Sequence, residues 1–265
     1  MAASKMTIEI DLSQKERIFY RDLLRSARYQ ALANAEGFEE ICFAVEALGL
    51  RLIKKEGDLG QYENSIERLS RDSIHLAYLP IEHPGLFLSF LTLYTTLRKA
   101  RNDAMHTGVY ARNATQKAVD LCIGLEEALM SGAENSISNY MVHSPITAEP
   151  WHPVAHIRKL MLLHSISYIP IFEREEWLLI SEAALLRYLG VRKSSTSGNR
   201  KTKLGKPVSQ AEELERIPAN TVTPTTTLEE AIESMSHESY TKLWLVIDNE
   251  NQKNLIGVFT PFDLL

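Results

Sequence analysis

Near Ser138 the hydrophobic period of this chain changes, and that change bounds what it can fold into. Before it, apolar residues recur at the spacing of helices with one buried face. After it, short runs of strand type alternate with helical ones. A chain of 265 residues divided in this way is expected to hold two domains. The expected division is an all-α helical bundle over 1–138 and an α+β domain over 139–265.

The helical half opens on Ser13-x-x-Glu16, which reads as a capping box. Ile18, Phe19, Leu23, Leu24 and Tyr29 follow at helical spacing. A second helix is expected from Phe38 to Ile53, with Ile41, Val45, Leu48 and Leu52 as its buried stripe. A third is expected over 62–79, ended by Pro80, and a fourth runs from Pro84 in its first turn to Leu97. A fifth covers 113–130. The run 86–97 is apolar almost all round, which places that helix at the centre of the bundle or at a dimer interface.

Arg101, Asn102, Asp103 and His106 follow directly, and Gly108 breaks the pattern. Arg is a permanent cation suited to the charge of a phosphoryl transition state. His moves protons near neutral pH, and Asn can orient either. On a regular helix Asn102 and His106 share a face, whereas Arg101 and His106 stand roughly 140° apart. Convergence therefore needs a helix–loop–helix junction or a partner subunit. An Arg and a His here would also complement the negative end of a helix dipole without doing any chemistry. His75 and His83 read as ordinary core or loop residues.

Arg101-Asn102-x-x-x-His106 resembles the Arg-x4–6-His motif of HEPN domains, over roughly residues 10–135. The resemblance implies a dimeric helical bundle and a metal-independent ribonuclease. Arg101 and His106 would be its catalytic pair and Asn102 a supporting residue.

In the second half, Val154–His164, 181–189 and Leu228–Ser236 read as helices. Strands are expected at 168–172, 177–180, 243–247 and Leu255–Phe259, with Thr/Ser-Pro lead-ins at 141–150 and 217–226. The order lead-in, helix, strand, strand occurs twice, in units of about 140–191 and 217–265. Each unit is too small to bury a good core alone, so the two should pack together. The stretch 192–216 between them, basic at its start, reads as a flexible linker that could also touch RNA phosphates. His152, His156 and His164 include an i, i+4 pair, but a third ligand is not apparent nearby and no metal is expected.

This repeat resembles a tandem pair of CBS domains, on Gly257-Val258-Phe259-Thr260-Pro261-Phe262-Asp263. The resemblance implies one adenine nucleotide (ATP, ADP or AMP) as a regulatory ligand. Asp263 would accept hydroxyls of the ribose, and Thr260 with helix-start N–H groups would meet a phosphate. Gly257 and Val258 would complete the nucleotide-binding site beside them. In the first unit Ser181 takes the Thr position and Ala184 the Asp position, with Trp177 at the Gly position, so that unit is expected to lack a competent site.

Composition narrows the classes. A net charge of −5 argues against a dedicated nucleic-acid binder, leaving any RNA contact local. Cys42 and Cys122 are too few for a disulfide scaffold. Residues 1–15 lack an apolar core of signal-peptide length, and the longest apolar run is far short of the ~20 residues that span a bilayer. A cytoplasmic homodimer is expected, without membrane association. Together the resemblances imply a nucleotide-regulated endoribonuclease cleaving single-stranded RNA by 2′-OH attack, of toxin or defence type, with an antitoxin as an expected partner. The alternative is a non-catalytic dimeric adaptor whose nucleotide sensor controls a partner protein.

Overall fold

The computed structural model describes residues 12–34, 37–103, 108–190, 197–236 and 243–264. The chain forms two compact units, Met1–Ala133 and Glu134–Leu265. The sequence placed this division at 138. Residues 134–138 go with the second unit because the Ile137 and Ser138 amides donate to Thr226 O (2.9 Å) and Pro224 O (3.0 Å).

In the first unit α1 (Gln14–Ala33) starts at the expected capping box. The Ser13 amide donates to Glu16 Oε2 at 2.8 Å, and Glu16 N–H donates back to the Ser13 hydroxyl. Arg51 Nε, on α2 (Phe38–Ile53), also donates to this carboxylate at 2.6 Å. The Arg51 and Ser13 hydrogen bonds hold Glu16 down to about 2. A depressed carboxylate stabilises the fold above its unfolded pKa, and the contribution disappears as pH falls through the folded value. Between about pH 4.5 and 2, therefore, stability should rise less steeply with pH in Glu16→Gln than in the wild type, measured by denaturation at each pH.

Helix α2 ends on Lys54, in the left-handed conformation at φ 54°, rather than at Gly57. Its Gly49 lies flat against Tyr62 of α3 (Leu59–Ser70): a Cβ there would stand 2.4 Å from Tyr62 Cγ. The expected single helix over 62–79 breaks at Arg71–Asp72. A π turn follows (Ile74–Tyr78), then α4 (Leu79–Glu82), with Pro80 inside its first positions. Tertiary contacts explain the break. The Ser73 hydroxyl accepts from Leu76 N–H and donates to Glu127 Oε2 at 2.6 Å, and Leu76 packs on Gly124. Helix α5 (Phe90–Asp103) begins later than Pro84, with the Ser89 carbonyl accepting from Leu93 N–H. It is not apolar-buried all round. Leu93, Tyr94 and Leu97 are buried, whereas Leu86 and Leu91 are exposed. Helix α6 (Gly108–Met130) packs its Ala118, Leu121, Cys122 and Leu125 into the core, and Gly108 opens this helix instead of closing α5.

The second unit contains two sheets. The first half supplies β1 (Val142–His143), α7 (Val154–His164), β2 (Tyr168–Glu173), β3 (Glu176–Ser181) and α8 (Glu182–Leu189). After α9 (Ser197–Gly205) come β4 (Ile217–Pro218), β5 (Asn220–Val222), α10 (Leu228–Ser236), β6 (Trp244–Ile247) and β7 (Leu255–Phe259). The β2–β3 hairpin turns through Arg174 and Glu175, both left-handed (φ 54° and 66°), the turn geometry that matches strand twist.

The halves exchange their lead-ins. Strand β1 of the first half pairs antiparallel with β7 of the second, and β4 of the second pairs antiparallel with β3 of the first. The resulting sheets run β1-β7-β6-β5 and β2-β3-β4. This register also corrects the repeat alignment. Gly257 pairs with His143 as Leu178 pairs with Pro218, so Leu178, not Trp177, holds the glycine's place.

The stretch read as a flexible linker is structured from Ser197 onward; 192–196 lie outside the described residues. Val208, Ala211 and Leu214 are buried in the first half's core beside Ile157 and Ile169. Val208 N–H donates to His152 O (2.9 Å) and Ser209 N–H to Pro150 O (2.8 Å). Three apolar side chains in a polar segment thus fill a gap in the core, and burying them outweighs the entropy of a free linker.

Candidate functional site

The exchange of lead-ins builds a cleft of about 830 Å³ within the second unit. One wall is the β1 lead-in, with Val142, Ser144, Pro145 and Ile146. A second is the start of β2, with Ser167, Tyr168 and Pro170. The third comes from the other half: Leu243 and Trp244 leading into β6, Val258 of β7, and the turn Thr260, Pro261 and Phe262. The cleft is thus assembled from segments on both sides of the α9 connection. An apolar concavity with a few convergent hydroxyls, of this volume, is what a small organic ligand needs.

Trp244, which lines the cleft, is buried and stacks on the buried Phe259 with ring centroids 5.6 Å apart. Ser144 adopts φ 53° although it is not glycine and precedes Pro145. A left-handed non-glycine residue costs on the order of 1 kcal/mol, and such positions concentrate at ligand sites.

Residues 211–265 are a CBS domain. The CBS domain family model matches this stretch. Among curated proteins, none matches the chain. Solved structures similar to it include the CBS-pair protein CBSX2 of Arabidopsis thaliana (19% identity, covering 49% of this chain and 90% of that one, TM-score 0.36). Others are CBSX2 in complex with AMP (20%, 49% and 93%, 0.37) and a CBS domain-containing protein of unknown function from Bacillus anthracis (13%, 49% and 88%, 0.38).

The residues singled out from the CBS motif divide by position. Val258 and Thr260 line the cleft. Gly257 lies under Met141, where a Cβ would come 2.5 Å from the sulfur, so its role is packing β1 onto β7. Asp263 is turned to its own backbone: Oδ2 accepts from Thr260 N–H (2.7 Å) and from the Thr260 hydroxyl (2.9 Å). In the first half Ser181 caps α8 by accepting from Ala184 N–H, and Ala184 is buried. Sequence reasoning missed Ser144, Ser167 and Tyr168. Ser144 follows the two-residue β1 and Ser167 and Tyr168 stand at the start of β2, and only the tertiary fold places them in one cleft with Thr260.

In the helical unit Arg101 sits in the last turn of α5, and its Nη2 pairs with Glu46 Oε1 of α2 at 2.7 Å. The neighbouring Arg98 pairs with Glu63 at 2.7 Å. Asn102 is exposed. His106 lies outside the described residues. Cys42 is buried nearby, and burial pushes its thiol up to about 12, which makes it a poor nucleophile. His75 donates through Nε2–H to Asp120 Oδ1 at 2.7 Å and packs edge-on against Phe87, tying the π turn to α6.

His152 and His156 lie with ring centroids 4.5 Å apart, and His152 Nδ1 accepts from Glu149 N–H. Burial, and then the neighbouring His156, lower the His152 pKa. Among the described residues no group of three His, Cys, Asp or Glu side chains could hold a metal, and no helix is long and apolar enough to cross a membrane.

Proposed function

We propose that the second unit senses an adenine nucleotide in the cleft beside Thr260 and that the helical unit responds to it. The observation that carries this reading is the cleft itself, formed where the CBS domain's terminal turn meets the exchanged lead-in of the other half. A ligand touching both halves at once favours the arrangement in which they are closed on it. That differential affinity is what a sensor requires.

For the response we propose metal-independent cleavage of single-stranded RNA by a homodimer. His106 moves the proton of the 2′-OH and of the leaving oxygen, Arg101 holds the phosphoryl charge, and Asn102 orients them. Attack by the 2′-OH leaves a 2′,3′-cyclic phosphate and excludes DNA as substrate. The Arg101–Glu46 pair favours a second reading, because it occupies the guanidinium with a carboxylate. In that reading the helical unit is a dimeric adaptor without chemistry.

Two measurements separate these. Full-length protein is incubated with single-stranded RNA in EDTA, with and without ATP, ADP or AMP. Cleavage that falls about 10²- to 10⁴-fold in both Arg101→Ala and His106→Ala supports the ribonuclease; intact RNA under every nucleotide supports the adaptor. The sensor is read independently by thermal stabilisation. A nucleotide at about 100 times its Kd should add about 2.7 kcal/mol. Stabilisation unchanged in a Thr260→Val, Val258→Asp double variant would place the ligand elsewhere.

A further inference from the structure

The turn that closes the cleft has already used the Thr260 and Asp263 donors with which a helix start would hold a phosphate. Thr260 gives both its N–H and its hydroxyl to Asp263 Oδ2. Pro261 has no N–H to offer. The Asp263 amide donates to Thr260 O at 3.0 Å. The turn Pro261–Asp263 is only three residues long, and it carries the Asp263 carboxylate. These contacts argue against the helix-start amides beside Thr260 receiving a phosphate. An acidic side chain and spent donors repel that group instead of binding it.

The opposite wall is different. Ser144, Ser167 and Tyr168 line the cleft, and their hydroxyls make no hydrogen bond among the described residues. Each hydroxyl can donate and accept. None of the described side chains lining the cleft is charged. Between the hydroxyls and the turn stand apolar surfaces, including Ile146, Pro170 and Val258, and Phe262 is 77% exposed at the mouth. This chemistry suits a neutral, planar ligand part with hydrogen-bonding edges, packed between apolar faces.

Building on the assignment of this cleft as the nucleotide site, we propose that it recognises the uncharged nucleoside portion of its ligand, read by the hydroxyls of Ser144, Ser167 and Tyr168, and that phosphate adds no affinity. The phosphates of a bound nucleotide lie toward solvent, away from Asp263. The cleft then reports the total of adenosine-bearing ligands and does not discriminate among phosphorylation states.

Calorimetric titration of the full-length chain with adenosine, AMP and ATP, each at 50 and 500 mM NaCl, tests this. The three dissociation constants should agree within about 3-fold at either salt concentration, since an electrostatic contribution is what salt screens. Tyr168→Phe and Ser167→Ala should each weaken adenosine by about 3- to 10-fold, the value of one neutral hydrogen bond. Both variants are conservative, and their melting temperatures report whether the fold is kept. AMP or ATP binding more than 10-fold tighter than adenosine overturns the proposal and leaves the nucleotide site standing. Adenosine binding that is indifferent to both hydroxyl variants overturns it as well. If none of the three ligands binds, the assignment of the cleft as a nucleotide site fails together with the inference.

Discussion

Glu126→Ala is expected to destabilise the helical unit by about 3–5 kcal/mol. Glu126 lies on α6 with its side chain only 8% exposed. Arg28 of α1 grips it with two nitrogens, Nε at 2.8 Å and Nη2 at 3.0 Å, and Arg25 Nε adds a third contact at 3.3 Å. The hydrogen bond to Glu126 raises the Arg28 pKa, and without that partner the guanidinium still stays charged, because arginine is a permanent cation near neutral pH. The variant therefore keeps two largely buried cations without their counter-charge, and that uncompensated charge dominates the cost. Urea denaturation followed by helical circular dichroism measures it. An unchanged slope with a lower midpoint indicates a change in stability alone. A loss under about 1 kcal/mol would show that the cluster behaves as a solvated surface pair. Replacing all three residues by apolar ones of similar volume should recover most of the loss.

The second large effect is expected at Arg216. Its Nη1 donates to Leu214 O at 3.0 Å and its Nη2 to Val208 O, while Nε pairs with Glu173 Oε2 at 3.1 Å. Arg216 and Glu173 side chains are about equally buried, at 14% and 15% exposure. One guanidinium thus ties the segment 208–214 to β2. Arg216→Ala leaves a largely buried carboxylate without its counter-charge and two carbonyls without this donor, at a cost of about 3–5 kcal/mol. The damage should be local first. Limited proteolysis should cut within 197–214 much faster than in the wild type, before the rest of the second unit opens. Equal cutting rates would mean that burial of Val208, Ala211 and Leu214 holds the segment without the arginine.

The places where sequence and structure part share a cause. The helix expected over 62–79 has adequate local periodicity, yet Ser73 finds Glu127 and Leu76 finds Gly124, both on a helix far along the chain. In 192–216 the basic, Ser/Thr-rich start hides three apolar residues whose worth depends on a gap in someone else's core. Strands β1 and β4 are two residues each, too short for an alternation to register, and so their exchange left no periodic trace.

Local hydrogen bonding and hydrophobic period are written in neighbouring residues. From them come the helical and the α+β halves, the Ser13 capping box, the helices α7 and α10, the β2–β3 hairpin and the Thr260–Asp263 motif. Competition between groups distant in sequence is not written there, because it is decided by which groups the lowest-free-energy fold brings together in space. Tertiary structure alone set Arg101 against Glu46 and joined Ser144 and Tyr168 to the cleft.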